Sequence, residues 1–232
     1  RPITREYDDY ESRDDDGEPN IDLGVYENSP IRTLDEAKEE VKGTLEKDNS
    51  ESLTLYNAGV AAAKTALITL SNIFSIPLPN LTSLTVKEGE KVNGYAIPET
   101  NTIALSPQTF ISMGIGETTS QSRSQKEILS SLAAFETLYH EFGHILEGAV
   151  IEKASNAEQA AILAEYEKWV AQSDTVNRNS TATLVLAGGI PHINVDGKLV
   201  PLSEHDPEYW TSYKEWLADQ VARYITTKQV EG

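Results

Sequence analysis

From Ser52 to Phe74 the apolar residues Leu53, Tyr56, Val60, Leu67, Leu70 and Phe74 recur mostly at steps of three or four around an alanine-rich middle. That is the period of a helix with one apolar face. Pro77 and Pro79 end it, and Pro30 to Lys47 predicts a shorter, more polar helix before it. The pattern then changes period. Leu84 to Val86, Gly94 to Ile97 and Thr102 to Leu105 alternate in strand fashion, the last two joined by the turn-prone Pro98-Glu99-Thr100-Asn101, so a small sheet ending in a hairpin is expected. In that hairpin Tyr95, Ile97, Ile103 and Leu105 would form one buried face.

Ser124-Gln125-Lys126-Glu127 has the form of a capping box, and Ile128, Leu132, Phe135, Tyr139, Phe142 and Leu146 follow at steps of three and four. A long core helix is therefore predicted from about Ser124 to Val150. A further helix is expected from Asn156 to Gln172, then a β-ribbon over Thr183 to Leu202 that turns at Asp196-Gly197. Asp206-Pro207 has the chemistry of a helix start and opens a last helix running through Ile225. Glu6 to Asp22 stands apart, with nine acids, one base and almost nothing apolar. Alone it cannot bury enough surface to order itself, so a solvated tail or linker is expected, with an arm that docks on a basic partner or on the rest of the protein as the alternative. The organisation expected is an acidic arm over 1–29, a helical region over 30–80 and a main α+β domain over 81–232.

Composition narrows the functions. The 232 residues carry 19 Lys plus Arg against 37 Asp plus Glu, a net charge of −18 that repels nucleic-acid phosphates and anionic lipid alike. Neither nucleic acid nor a membrane surface is an expected partner. There is no cysteine, so any metal must sit on His, Asp or Glu. No apolar run approaches the roughly 18–20 residues of a membrane span and no signal peptide is visible, so a soluble domain, cytoplasmic or virion-associated, is expected. The chain opens on Arg1 and has the single methionine Met113, as a processed product or an excerpt of a longer chain would.

Two short stretches carry chemistry. His140-Glu141-Phe142-Gly143-His144 lies in the second half of the long helix, where residues four apart are about 400° apart in rotation. Both imidazoles therefore leave one face and can reach the same zinc ion, while Glu141 can serve as general base toward water. Gly143 thins the helix where a substrate or metal would approach. Glu215-Trp216-Leu217-Ala218-Asp219 lies in the last helix. Glu215 can supply the third ligand, and Asp219, one turn on, can accept a hydrogen bond from the far nitrogen of a ligand histidine. Glu147, His205 and Asp206 are other carboxylate or imidazole donors for the third position. His192 reads as a ribbon residue outside the site.

HExxH followed downstream by ExxxD resembles the gluzincin branch of the zincin metallopeptidases. The fuller pattern, His140 to Leu146 with E-x-x-A-D-x-x-A over Glu215 to Ala222, is similar to compact ImmA/IrrE-like peptidases and to zincin domains embedded in phage and bacterial polyproteins. The likeness covers mainly residues 84 to 225. It implies an α+β zincin-like fold in which His140, His144 and Glu215 bind zinc, Glu141 is the base and Asp219 orients a histidine, with a protein or peptide as substrate. The alternative is a structural or scaffold protein, such as a virion component, that keeps the fold with little or no turnover. No histidine follows Asp219, so transition-state stabilisation falls to Tyr209, Tyr213, His205 or Arg223 by proximity in sequence. In zincins an edge strand lies over the metal, which implies that substrate pairs with Thr102, Ile103, Ala104, Leu105 and Ser106 as one more strand.

Overall fold

The computed structural model describes residues 31–43, 49–86, 92–117, 123–172, 184–187 and 190–231. The acidic arm expected over 1–29 lies outside them, as do Pro30, the end of the predicted polar helix at 44–47, and Thr183. The architecture is α+β. The chain divides into two compact units, Arg1–Ile97 with Asn101–Leu138 and Pro98–Thr100 with Tyr139–Gly232.

The first unit contains β1 (Ile31–Arg32), α1 (Leu34–Gly43), α2 (Asn49–Phe74), β2 (Asn80–Leu84), β3 (Gly94–Ile97), β4 (Thr102–Leu105) and α3 (Pro107–Glu117). The Thr33 side chain accepts from Glu36 N at 3.2 Å and so caps α1. At the other end of α2, Ser75 takes a left-handed φ of 53° and Ile76 N reaches back to Ser71 O at 3.1 Å, closing the helix before Pro77. The buried stripe of α2 is Leu55, Tyr56, Ala63, Leu67 and Leu70. Leu53 and Val60 are only half-buried. Contrary to the expectation that no run is long enough, Glu51–Phe74 is, among the described residues, the one helix long and apolar enough by length and composition to cross a membrane.

Two glycines let α2 and α3 approach closely. A Cβ on Gly59 would fall on the carbonyl of Phe110, and one on Gly114 would fall on that of Leu55. Tyr56 and Phe110 meet edge to face beside them, with ring centroids 5.5 Å apart. Helix α3 begins where Ser106 Oγ accepts from Thr109 N at 3.2 Å.

The sheet has the order β1-β2-β4-β3. Its topology corrects three expectations, one of them the hairpin face: Ala96 pairs with Ile103 while Tyr95 and Ile97 pair with Ala104 and Thr102, so Tyr95 and Ile97 lie on the face opposite Ile103 and Leu105. The first strand is Asn80–Leu84 rather than Leu84 to Val86, and it pairs parallel to β4 from Asn80↔Thr102 to Ser83↔Leu105. Asn101 sets that register: its backbone oxygen accepts from Asn80 N at 2.8 Å, and its side-chain amide donates to Leu78 O at 3.2 Å. Consequently Thr102, Ile103, Ala104 and Leu105 form an interior strand, with β2 on one side and β3 antiparallel on the other. All four are buried, Ser106 with them, and the segment has no free edge for a peptide. The expected substrate strand is not there.

The long helix α4 (Gln125–Ala149) starts in the first unit and ends in the second. The predicted capping box forms: Ser124 Oγ accepts from Glu127 N and Glu127 Oε1 accepts from Ser124 N, each at 3.2 Å. The second unit continues with α5 (Asn156–Ala171), β5 (Leu184–Ala187), β6 (Ile190–Val195), β7 (Lys198–Pro201), the short α6 (Leu202–His205) and α7 (Pro207–Glu231). Strands β5, β6 and β7 form an antiparallel sheet. Asp196 and Gly197, with φ of 52° and 86°, make its predicted turn, pinned by Gly197 N donating to Asn194 Oδ1 at 2.8 Å. Helix α7 is capped by Asp206 Oδ1, which accepts from Tyr209 N at 3.3 Å. Its inner face joins Leu163, Tyr166, Leu202, Tyr209, Tyr213, Trp216 and Leu217 in one core.

Candidate metal centre

The site is built where α4 and α7 cross. A Cβ on Gly143 would stand 2.8 Å from Ala218 Cα and 2.9 Å from Ala218 O. The thin point of the HEFGH helix thus admits the backbone of α7, and this packing accounts for the glycine. One turn of α4 carries His140 and His144, and the facing turn of α7 carries Glu215 and Asp219, on either side of Ala218.

His140 Nε2, His144 Nε2 and the Glu215 carboxylate converge. The two ring nitrogens are 3.2 Å apart, and they lie 2.8 Å and 3.0 Å from Glu215 Oε2 and Oε1 respectively. On the far side of His140, Nδ1 is 2.7 Å from Asp219 Oδ1. A carboxylate there only accepts, so Nδ1 is the donor and Nε2 of the neutral ring presents a lone pair. That lone pair points at the oxygens of Glu215, which are themselves acceptors. Acceptors this close need a cation between them, a proton or a metal ion.

The donor set fits a small divalent ion. Ligand atoms about 2.0–2.1 Å from zinc in tetrahedral array stand about 3.3 Å from one another. The separations here fall slightly below that. His140, His144 and Glu215 therefore form a group able to hold a metal ion, with all ligand atoms within 4.8 Å of one another. Glu147, His205 and Asp206, the other donors considered for the third position, do not join the group. Asp206 caps α7, and Glu147 is turned toward Lys214, whose Nζ is 3.6 Å away.

The electrostatics follow from burial and convergence. Burial opposes a charge on His140, but hydrogen bonds to Asp219 and Glu215 outweigh it and hold the metal-free ring well above the usual histidine range. His144 is likewise raised, with burial overcome by the charge of Glu215. Burial would raise Glu215 as well, yet His144 and His140 hold its carboxyl far below the usual range. Glu141 is 8% exposed, and burial raises its carboxyl against the pull of His140 and His144. It is buried beside the three donors without being one of them.

The proposed stabilisers fall in different places. Tyr209 packs its ring 5.1 Å from that of Tyr166, inside the aromatic core. Tyr213 packs 5.3 Å from Tyr166, and burial, with the charge of Glu147, pushes its hydroxyl up to about 12. His205 ends α6, and Arg223 lies one turn beyond Asp219 on α7. His192 sits in β6 opposite Val185 and Pro201. No protein family, curated protein or solved structure matches the chain.

Proposed function

We propose that this chain is a zinc-dependent metallopeptidase of the gluzincin type, with a zincin-like catalytic region that hydrolyses peptide bonds in a protein or peptide substrate. The observation that supports the reading is the convergence of His140, His144 and Glu215 with Glu141 buried beside them and Asp219 behind His140. A purely structural zinc site has no use for the buried acid. Zinc, when bound, supplies Lewis-acid polarisation of a carbonyl and acidifies water.

The chain's own residues do the rest. Asp219 accepts the Nδ1 proton of His140, which leaves Nε2 free to ligate and fixes the ring. Glu141 takes the proton of the attacking water on a carboxylate oxygen and delivers it to the departing amine. Its burial beside the donors keeps that carboxylate at the site rather than in bulk water. Glu215 supplies the negative charge that balances the cation.

Elemental analysis after zinc-replete expression, paired with peptide-library cleavage, tests the reading. One zinc per chain and cleavage by the parent are expected. Glu141→Gln should keep zinc and lose about 10²–10⁴-fold in rate. No zinc in the parent, or zinc held at full affinity by Glu215→Ala, rejects the proposal.

A further inference from the structure

A ligand histidine is held by a partner on the nitrogen that faces away from the metal. His140 has Asp219 in that place. For His144, Nε2 faces Glu215, so Nδ1 is the nitrogen to be held. Opposite it stands Glu147, one turn on along α4, with Oε2 4.0 Å from Nδ1.

Glu147 is no surface acid. It is only 4% exposed in a chain whose many other carboxylates have room in water, and removing a carboxylate from water is costly unless it is used. Its other oxygen lies 3.6 Å from Lys214 Nζ, and that ammonium sits over the Trp210 ring, 5.1 Å from the centroid. Lys214 immediately precedes Glu215, so α7 brings the third ligand and the tether of Glu147 to α4 together.

We propose that Glu147, tethered by Lys214, accepts the Nδ1 proton of His144 and fixes that ring as a ligand, as Asp219 does for His140. The inference rests on reading the centre as a metal site. The present 4.0 Å exceeds hydrogen-bond length, so the bond requires the broad terminal torsion of the glutamate to turn an oxygen closer to Nδ1. Glu147 is a positioning residue that acts only through His144.

The test is metal affinity, measured by competition with a chromophoric chelator for zinc and for Co(II), with the visible spectrum of the Co(II) protein and the melting of the metal-free form. Glu147→Ala should bind zinc about 10–100-fold more weakly and shift the Co(II) bands without losing a ligand. Lys214→Met should weaken zinc less, and Lys214→Arg should restore it. A folded Glu147→Ala protein with parental affinity and spectrum overturns the inference. A Co(II) spectrum reporting one ligand fewer also overturns it, because Glu147 would then bind the metal itself. If Glu147→Ala does not fold without metal, the Lys214 pair decides, and equal affinities in Met and Arg variants count against the proposal. A parent that binds no metal removes the metal-centre reading together with the inference, whereas a zinc-binding parent with an unaffected Glu147 variant removes the inference alone.

Discussion

Both units bring two helices into backbone contact through glycine, but they use the contact differently. At the α2–α3 crossing each helix gives up a Cβ, Gly59 beneath Phe110 and Gly114 beneath Leu55, and the neighbouring side chains, Tyr56 and Phe110, are core. At the α4–α7 crossing only α4 has the glycine, and α7 presents Ala218 between Glu215 and Asp219. The first crossing serves packing. The second sets the distance between the histidines of α4 and Glu215 of α7, the group able to hold a metal ion. A glycine in HExxH is therefore read best by what crosses it.

Four experiments break or sharpen that contrast. Gly59→Ala has the largest expected effect. The gain in helix propensity of up to about 1 kcal/mol is outweighed by a clash with backbone that no rotamer relieves, so a loss of about 3 kcal/mol or more is expected in denaturant unfolding, with or without zinc. A variant as stable as the parent would show that the crossing relaxes freely. Gly143→Ala should act on chemistry first. Pushing α7 away by about 1 Å should lower peptide cleavage about 100-fold and weaken zinc, with a smaller change in the unfolding of the zinc-free protein. Equal losses in both assays would make the two crossings alike.

Asp219→Ala leaves the crossing intact and removes only the group behind His140. Zinc should bind about 10–100-fold more weakly, with the fold kept. Unchanged affinity would reduce Asp219 to surface charge. The smallest effect is one of pH. In the metal-free chain His140 and His144 hold protons more tightly than in the unfolded chain, where histidines titrate near ~6.5. Their contribution to stability is then full below about 6.5 and is lost as pH rises through their raised values. Zinc needs both rings unprotonated, so its affinity climbs over that same range, by about tenfold per pH unit for each proton displaced. Melting of chelator-treated protein and zinc titrations between pH 6 and pH 9 should therefore trend in opposite directions. A flat melting profile would contradict the raised values.

Much of the second unit, and the start of α4 in the first, was legible because the signals are local. The i, i+4 pairs His140/His144 and Glu215/Asp219, the Ser124 capping box, the Asp196-Gly197 turn and the Asp206-Pro207 start each lie within a few residues of sequence. The sheet was less legible because its decisive contact is not local. The parallel pairing of β2 with β4 joins residues about twenty apart and is fixed by the hydrogen bonds of Asn101, which no alternation pattern encodes. Helix α3 escaped for a related reason. Gly114 and Gly116 lower its propensity, and the partner that requires Gly114, the Leu55 carbonyl, lies on α2. Ser106, which caps it, was the available signal. The burial of Glu147 and its ion pair with Lys214 cannot be read from its spacing alone.

Glu215, Ala218 and Asp219 share one helix, so candidate ligand, contact point and the carboxylate behind His140 are spaced by the helical repeat. An insertion of one residue between Glu215 and Asp219 would turn one away from the other by about 100°. The step from Glu215 to Asp219 is thus set by one helix alone, whereas the separation of His144 from Glu215 is set by packing between elements, that of Leu163, Tyr166 and Leu202 against α7 included.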